Sequence, residues 1–188
     1  MPDLSKALAT LVLVLCCQVA GATVTENLTY SYYVARLQFG TSMAGAISKA
    51  SPFHQDGRVF HAETKWYVNW HFHWTEHAGS CRMDSVQVNL DSTITLPALA
   101  NDSDDEHRRF FTYLLALRKH ELGHVDLGRQ AARQIEDGIL SLPEMRSCTE
   151  LENTGNRLAN RILEEIRQIE IQYDLTTLHG RTQGARLD

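Results

Sequence analysis

Two stretches of this chain alternate strictly between hydrophobic and polar residues, and then the period lengthens. Trp66, Val68, Trp70, Phe72 and Trp74 alternate with Lys65, Tyr67, Asn69, His71 and His73. Val86, Val88 and Leu90 alternate with Gln87, Asn89 and Asp91. A period of two places one set on each face of a strand. The pattern predicts strand-like chain from Arg58 to Trp74 and a second strand from Arg82 to Thr95. A turn in "TEHAGS" joins them as a hairpin, and Leu96-Pro97 ends the second. Upstream, Leu28 to Gln38 is rich in Tyr and Val and predicts another strand. "TSMAGAISKAS" predicts a short helix stopped by Ser51-Pro52, and "QDG" a turn.

Beyond residue 100 the period becomes helical. Ser103-x-x-Glu106 forms a capping box. Phe110, Leu114, Leu117, Ala132, Ile135 and Ile139 then fall on one stripe at 100° per residue. This predicts one long helix, closed near Gly138 and Pro143. A second helix is predicted from Thr149 to Gln172, with Leu151, Leu158, Ile162, Ile166 and Ile169 as its stripe. The tail "YDLTTLHGRTQGARLD" has no period. The expected fold class is α+β: an antiparallel N-terminal sheet packed on a long helix and a second, C-terminal helix.

The N-terminus changes the boundaries of that fold. Lys6 precedes an apolar run from Ala7 to Cys17, and Ala20-x-Ala22 supplies the small residues of a cleavage site. Residues 1–22 are expected to be a signal peptide and residues 23–188 a single domain. The apolar run is shorter than the roughly 20 residues of a membrane span, and no later segment is long enough. The expected location is outside the cytosol, periplasmic or secreted. That setting makes Cys81 and Cys148, the two cysteines beyond the signal, an expected disulfide. The net charge of -5, with both signs interspersed, leaves no basic patch for a nucleic-acid partner.

The candidate chemistry lies in "RKHELGHVDLG". A spacing of four puts His120 and His124 one turn apart on one side of the long helix, where both imidazoles reach one ion. Zinc accepts neutral imidazole, and Glu121, beside the first histidine, can take a proton from water at the ion and deliver it to a leaving amine. Glu121 and His124 point within about 40° of the apolar stripe by the 3.6-residue period. Ionisable groups aimed at a core need partners, and a metal supplies one. Gly128 lies on the same stripe, where the missing side chain lets another segment approach. Asp126 points the opposite way.

A catalytic zinc has three protein ligands and a water. His179, in the Gly-bearing segment after the second helix, is the expected third ligand, with Glu165 on that helix as the alternative. Asp174 could itself ligate or could orient a ligand histidine. Glu164 and Glu170 point away from the helix stripe. Tyr173 is a candidate donor to the oxyanion of amide hydrolysis. His71 and His73 share a strand face that is read as solvated or substrate-facing.

These stretches together resemble a known family. "RKHELGHVDLGRQAA", the Cys81 and Cys148 pair, Thr95-Leu96-Pro97 and "YDLTTLHGRTQGA" look like bacterial exported proteins described as secreted zinc-dependent proteases. The similarity runs from about Tyr32 to Ala185. It implies a zincin-like metallohydrolase domain, a Zn2+ cofactor and a bacterial, periplasmic setting. The function expected is a zinc metallopeptidase of the cell envelope acting on a peptide or protein, cell-wall peptide included. The alternative is a non-catalytic envelope protein whose structural zinc supports binding to a partner.

Overall fold

The structure, a computed structural model, describes residues 23–100 and 102–187. The expected signal peptide, residues 1–22, lies outside them. The described chain is mixed α+β, with strands β1 (Thr23–Arg36), β2 (Phe53–Gln55), β3 (Arg58–Phe60), β4 (Glu63–His77) and β5 (Ser80–Ala100). Its helices are α1 (Met43–Ala50), α2 (Asp104–Leu140) and α3 (Cys148–Thr177), followed by a 3-10 turn at Arg181–Gln183.

The hairpin expected from the alternation is β4–β5, with Ala78 and Gly79 as its two-residue turn. Both turn residues have positive φ (49° and 82°), as a type I′ connection requires. The stretch read as strand-like from Arg58 breaks at His61 and Ala62. Its first part pairs back as the β2–β3 hairpin, around Asp56-Gly57. On β4, Val68 is buried and Trp66, Trp70 and Phe72 pack partly buried against the core, while Lys65, Tyr67, Asn69, His71 and His73 are exposed. A bulge between His73 and Trp74 breaks the alternation and leaves Trp74 38% exposed.

The large sheet corrects the antiparallel expectation. Its order is β1-β5-β4, and β1 runs parallel to β5 from Thr23↔Gln87 to Arg36↔Ala100. Alternation identifies a strand but not its partner. A parallel pair needs a long crossover, and residues 37–79 supply it. β5 also runs on past Leu96-Pro97. Opposite Thr95 the sheet has reached Glu63, where β4 begins, so Pro97 is paired only with Tyr33 of β1. One-sided pairing is where a strand tolerates proline.

Helix α2 lies across β5 and β4, and α3 packs on α2. Ser103 caps α2 by the expected box, with its hydroxyl accepting from Glu106 N and its own N donating to Glu106 Oε2. Val86, Val88, Leu90, Ile94 and Leu96 of β5 are essentially fully buried under α2. Each contributes about 1.5–3 kcal/mol relative to exposure. Trp66 and Leu90 crowd the backbone at Gly128, where a Cβ would meet them at 3.0–3.1 Å. A disulfide joins Cys81 at the start of β5 to Cys148 at the start of α3. Among the described residues no helix is long and apolar enough to cross a membrane.

Candidate metal centre

Helix α3 runs to Thr177, five residues past its expected end. Tyr173 and Asp174 are therefore helical. Ile162, Ile166, Glu170 and Asp174 form one row at i+4 spacing that starts apolar and becomes acidic. The expected stripe residue Ile169 is 43% exposed, because the face meeting α2 follows this row instead. Glu170, expected to point away, faces inward for the same reason. On α2 the matching face carries Leu117, His120, Glu121 and His124, all buried.

The two faces bring three ligand atoms together. Asp174 Oδ1 lies 3.2 Å from His120 Nε2 and 3.0 Å from His124 Nε2. One ligand atom from each of His120, His124 and Asp174 falls within 4.8 Å of the others. The edge of a tetrahedron around an ion with bonds of 2.0–2.1 Å is about 3.3 Å, so two of the three separations already match such a site.

The partners on the far sides of both rings favour the Nδ1–H tautomer. His120 Nδ1 is 3.0 Å from Gln183 Oε1, which can only accept. His124 Nδ1 is 3.3 Å from Glu170 Oε1, which also accepts at 2.7 Å from Trp66 Nε1. With the protons on Nδ1, both Nε2 lone pairs point at a carboxylate oxygen. Three acceptors facing one another repel unless a cation or extra protons sit between them. This is the arrangement by which an imidazole ligand is oriented through its other nitrogen. In the metal-free protein a proton takes that place. Burial alone would lower His124, but hydrogen bonds to Asp174 and Glu170 raise its pKa to about 10. Burial would likewise raise Asp174, and the bonds to His120 and His124 instead hold it well below the usual carboxylate range.

Tyr173 stacks on His120, with ring centroids 5.0 Å apart and planes within 9°. Its hydroxyl donates to the His120 carbonyl at 3.0 Å and accepts from Gln183 Nε2 at 3.1 Å. That hydroxyl is committed to the protein, which leaves it unsuited to the oxyanion role expected from the sequence. Glu121 lines the same cavity as the cluster, and its Oε2 accepts from the Thr64 hydroxyl at 2.7 Å. Burial raises the Glu121 pKa, opposed by the Thr64 bond and by His124 and His120.

The other expected positions sort by distance and exposure. Glu165 is exposed, and it sits nine residues before Asp174, about 13 Å along the helix axis at 1.5 Å per residue. It is not part of the cluster. His179 Nδ1 is 3.6 Å from Asp174 Oδ1, outside the three-atom cluster, on a side chain 39% exposed. Asp126 is exposed and pairs with Arg129 at 2.6 Å. Thr64 and Gln183 were not singled out from the sequence, Trp66 entered only as part of the β4 alternation, and Glu170 was expected to point away. For Glu170 a signal existed, in the i+4 row that continues Ile162 and Ile166 into Asp174. For Thr64, Trp66 and Gln183 none did, since each reaches the site only through tertiary packing.

The cluster opens on a cavity of about 490 Å³. The β2–β3 hairpin also lines it, through Phe53, His54 and Phe60. His61 anchors that hairpin through Nδ1 to the Tyr113 hydroxyl (2.7 Å) and Nε2 to the Ser48 hydroxyl (2.8 Å). Burial lowers its pKa.

No curated protein and no solved structure matches the chain significantly. A family model matches residues 30–180, a stretch that holds His120, Glu121, His124, Glu170, Asp174 and His179. That model describes bacterial proteins of unknown function (DUF922), and the chain belongs to this family.

Proposed function

We propose that this protein is a zinc-dependent hydrolase of zincin-like type, a metallopeptidase exported to the cell envelope. One observation carries the reading: His120 Nε2 and His124 Nε2 converge on Asp174 Oδ1 beside the buried Glu121. His120, His124 and Asp174 would hold the ion, a donor set of the same types as the His-His-carboxylate sites of known zinc peptidases. When bound, zinc would act there as a Lewis acid, polarising a carbonyl and making water more acidic.

The protein's own groups carry the proton. Thr64 holds Glu121 Oε2, which leaves Oε1 for transfer. Water adds through its oxygen to the carbonyl carbon of the scissile amide, and the π pair moves onto the carbonyl oxygen. Glu121 Oε1 takes the water proton. It returns that proton to the amide nitrogen as the C–N bond breaks, yielding a carboxylic acid and an amine. A buried carboxylate with a raised pKa is suited to hold the proton between the two events.

The substrate class is an extended peptide, from a protein or from cell-wall peptide. Strand β4 is an edge strand, and a groove along Thr64–Asn69 shares Thr64, Arg167 and Glu170 with the cavity. Backbone pairing on such an edge is a common mode of peptide capture. A structural zinc would call for four protein ligands. Three converging ligands on an open cavity favour the catalytic reading instead. The disulfide is in keeping with export.

The test is Glu121→Gln. The variant is expected to keep its zinc and to lose about 10²–10⁴ in the cleavage of casein or of cell-wall peptide. Wild-type protein without zinc affinity, or a Glu121→Gln variant with full activity, would overturn the assignment.

A further inference from the structure

Three consecutive residues leave α3 with left-handed backbone: Leu178 (φ 50°), His179 (φ 50°) and Gly180 (φ 82°). Glycine adopts that conformation freely, whereas the Cβ of leucine or histidine crowds the chain. The turn is held in place on several sides. His179 N donates to Asp174 O at 3.0 Å, and Ala185 N donates to Gly180 O at 3.0 Å. A Cβ on Gly180 would come within 2.9 Å of His120 Cβ. Strained backbone that the surroundings over-determine is a reason to ask what it positions. Here it positions the His179 ring.

That ring lines the cavity together with His120, Glu121, His124 and Asp174. Its side chain is 39% exposed, against 3% and 11% for His120 and His124. Phe60 of the hairpin braces it edge-on, with centroids 4.6 Å apart. Its Nδ1 is near Asp174 yet outside the converging ligand atoms. Two nearby donors are already committed elsewhere. Tyr173 donates to the His120 carbonyl, and both His61 nitrogens are engaged by Tyr113 and Ser48.

We propose that His179 contacts the substrate, donating a hydrogen bond to the scissile carbonyl oxygen as negative charge builds on it, and is not a metal ligand. The donor would be Nε2–H: Nδ1 lies 3.6 Å from Asp174 Oδ1, beyond hydrogen-bond distance, so that contact does not hold the ring's single proton. This inference rests on the hydrolase reading above.

The experiment uses the cobalt-loaded protein, with visible absorption reporting the metal and inorganic phosphate as a tetrahedral oxyanion probe. His179→Gly removes the ring without straining the left-handed backbone, and His179→Asn keeps an N–H donor in a residue that tolerates it. His179→Gly is expected to keep wild-type cobalt affinity and to raise the phosphate Kd at least about tenfold, the size of one hydrogen bond to a charged group. His179→Asn should recover part of that loss. Cobalt affinity falling in both variants would make His179 a ligand and overturn the proposal. So would phosphate binding that is unchanged in His179→Gly, or absent from metal-loaded wild type, and neither result touches the metal site itself. Wild-type protein that binds no cobalt or zinc would remove the hydrolase reading and this inference together.

Discussion

Gly123 lies directly under the Tyr173 hydroxyl: a Cβ at position 123 would come within 2.1 Å of that oxygen. The glycine inside His-Glu-Leu-Gly-His is thus a contact point between α2 and α3 at the candidate metal centre. Without it, Tyr173 could not stack on His120 while donating to the His120 carbonyl.

Gly123→Ala therefore tests the packing of the centre. Alanine favours an isolated helix by up to about 1 kcal/mol. Overpacking costs about 1–3 kcal/mol and should outweigh it. The expected result is a net loss of stability in urea unfolding, together with weaker zinc binding. A variant as stable as wild type, with unchanged zinc affinity, would show that the two helices do not meet as described.

Zinc affinity should rank the acidic residues. Glu170→Gln leaves His120, His124 and Asp174 in place but weakens the group that orients His124, and is expected to cost about 10–100-fold. Asp174→Asn removes a ligand and should cost more than that. Glu165→Ala should change nothing, since Glu165 is exposed and outside the cluster. Competition against a chromogenic chelator measures all three. The ligand set proposed here is wrong if Glu165→Ala proves the most damaging.

The metal-free protein should lose stability as pH rises above neutrality. Hydrogen bonds to Asp174 and Glu170, working against burial, raise the folded-state pKa of His124 from 6.5 to about 10. Its contribution is complete below about pH 6.5 and is lost as pH climbs through about 10. Glu121, raised by burial, acts in the same direction. Asp174 is held below its ordinary 3.8, so its contribution is present above that value and is lost only in stronger acid. The thermal midpoint of metal-free protein should accordingly be highest between about pH 4 and 6.5. Saturating zinc, a fixed positive charge in place of the proton, should flatten the alkaline decline. A metal-free midpoint that rises from pH 6.5 to 9 would contradict the His124–Asp174 geometry.

The Cys81–Cys148 bridge spans 67 residues. The chain-entropy model assigns a loop of that length about 4 kcal/mol. Replacing both cysteines by alanine should lower the unfolding free energy by that order in urea. A change well under about 1 kcal/mol would mean that the unfolded chain is already compact between these positions.

Within β4, β5 and α2, the order of apolar and polar residues was enough to place most faces, Trp74 beyond the bulge excepted. The β4 and β5 faces, the capping box at Ser103 and the α2 stripe through Ile135 and Ile139 lie where the local period puts them. A strand or helix exposes its periodicity residue by residue, whatever it later packs against. His120 and His124 were legible for the same reason, because one helical turn separates them. Tertiary structure decided the rest. Nothing local distinguishes a strand that will pair parallel from one that will pair antiparallel, and β1 found β5 only after the crossover of residues 37–79. The end of α3 was lost because its buried row turns acidic at Glu170 and Asp174, where the hydrophobic signal stops although the helix continues. That extension carries Asp174 to both histidines and leaves His179 on the cavity rim. Convergence of atoms 50 and more residues apart depends on how two helices pack, which no window along one of them contains.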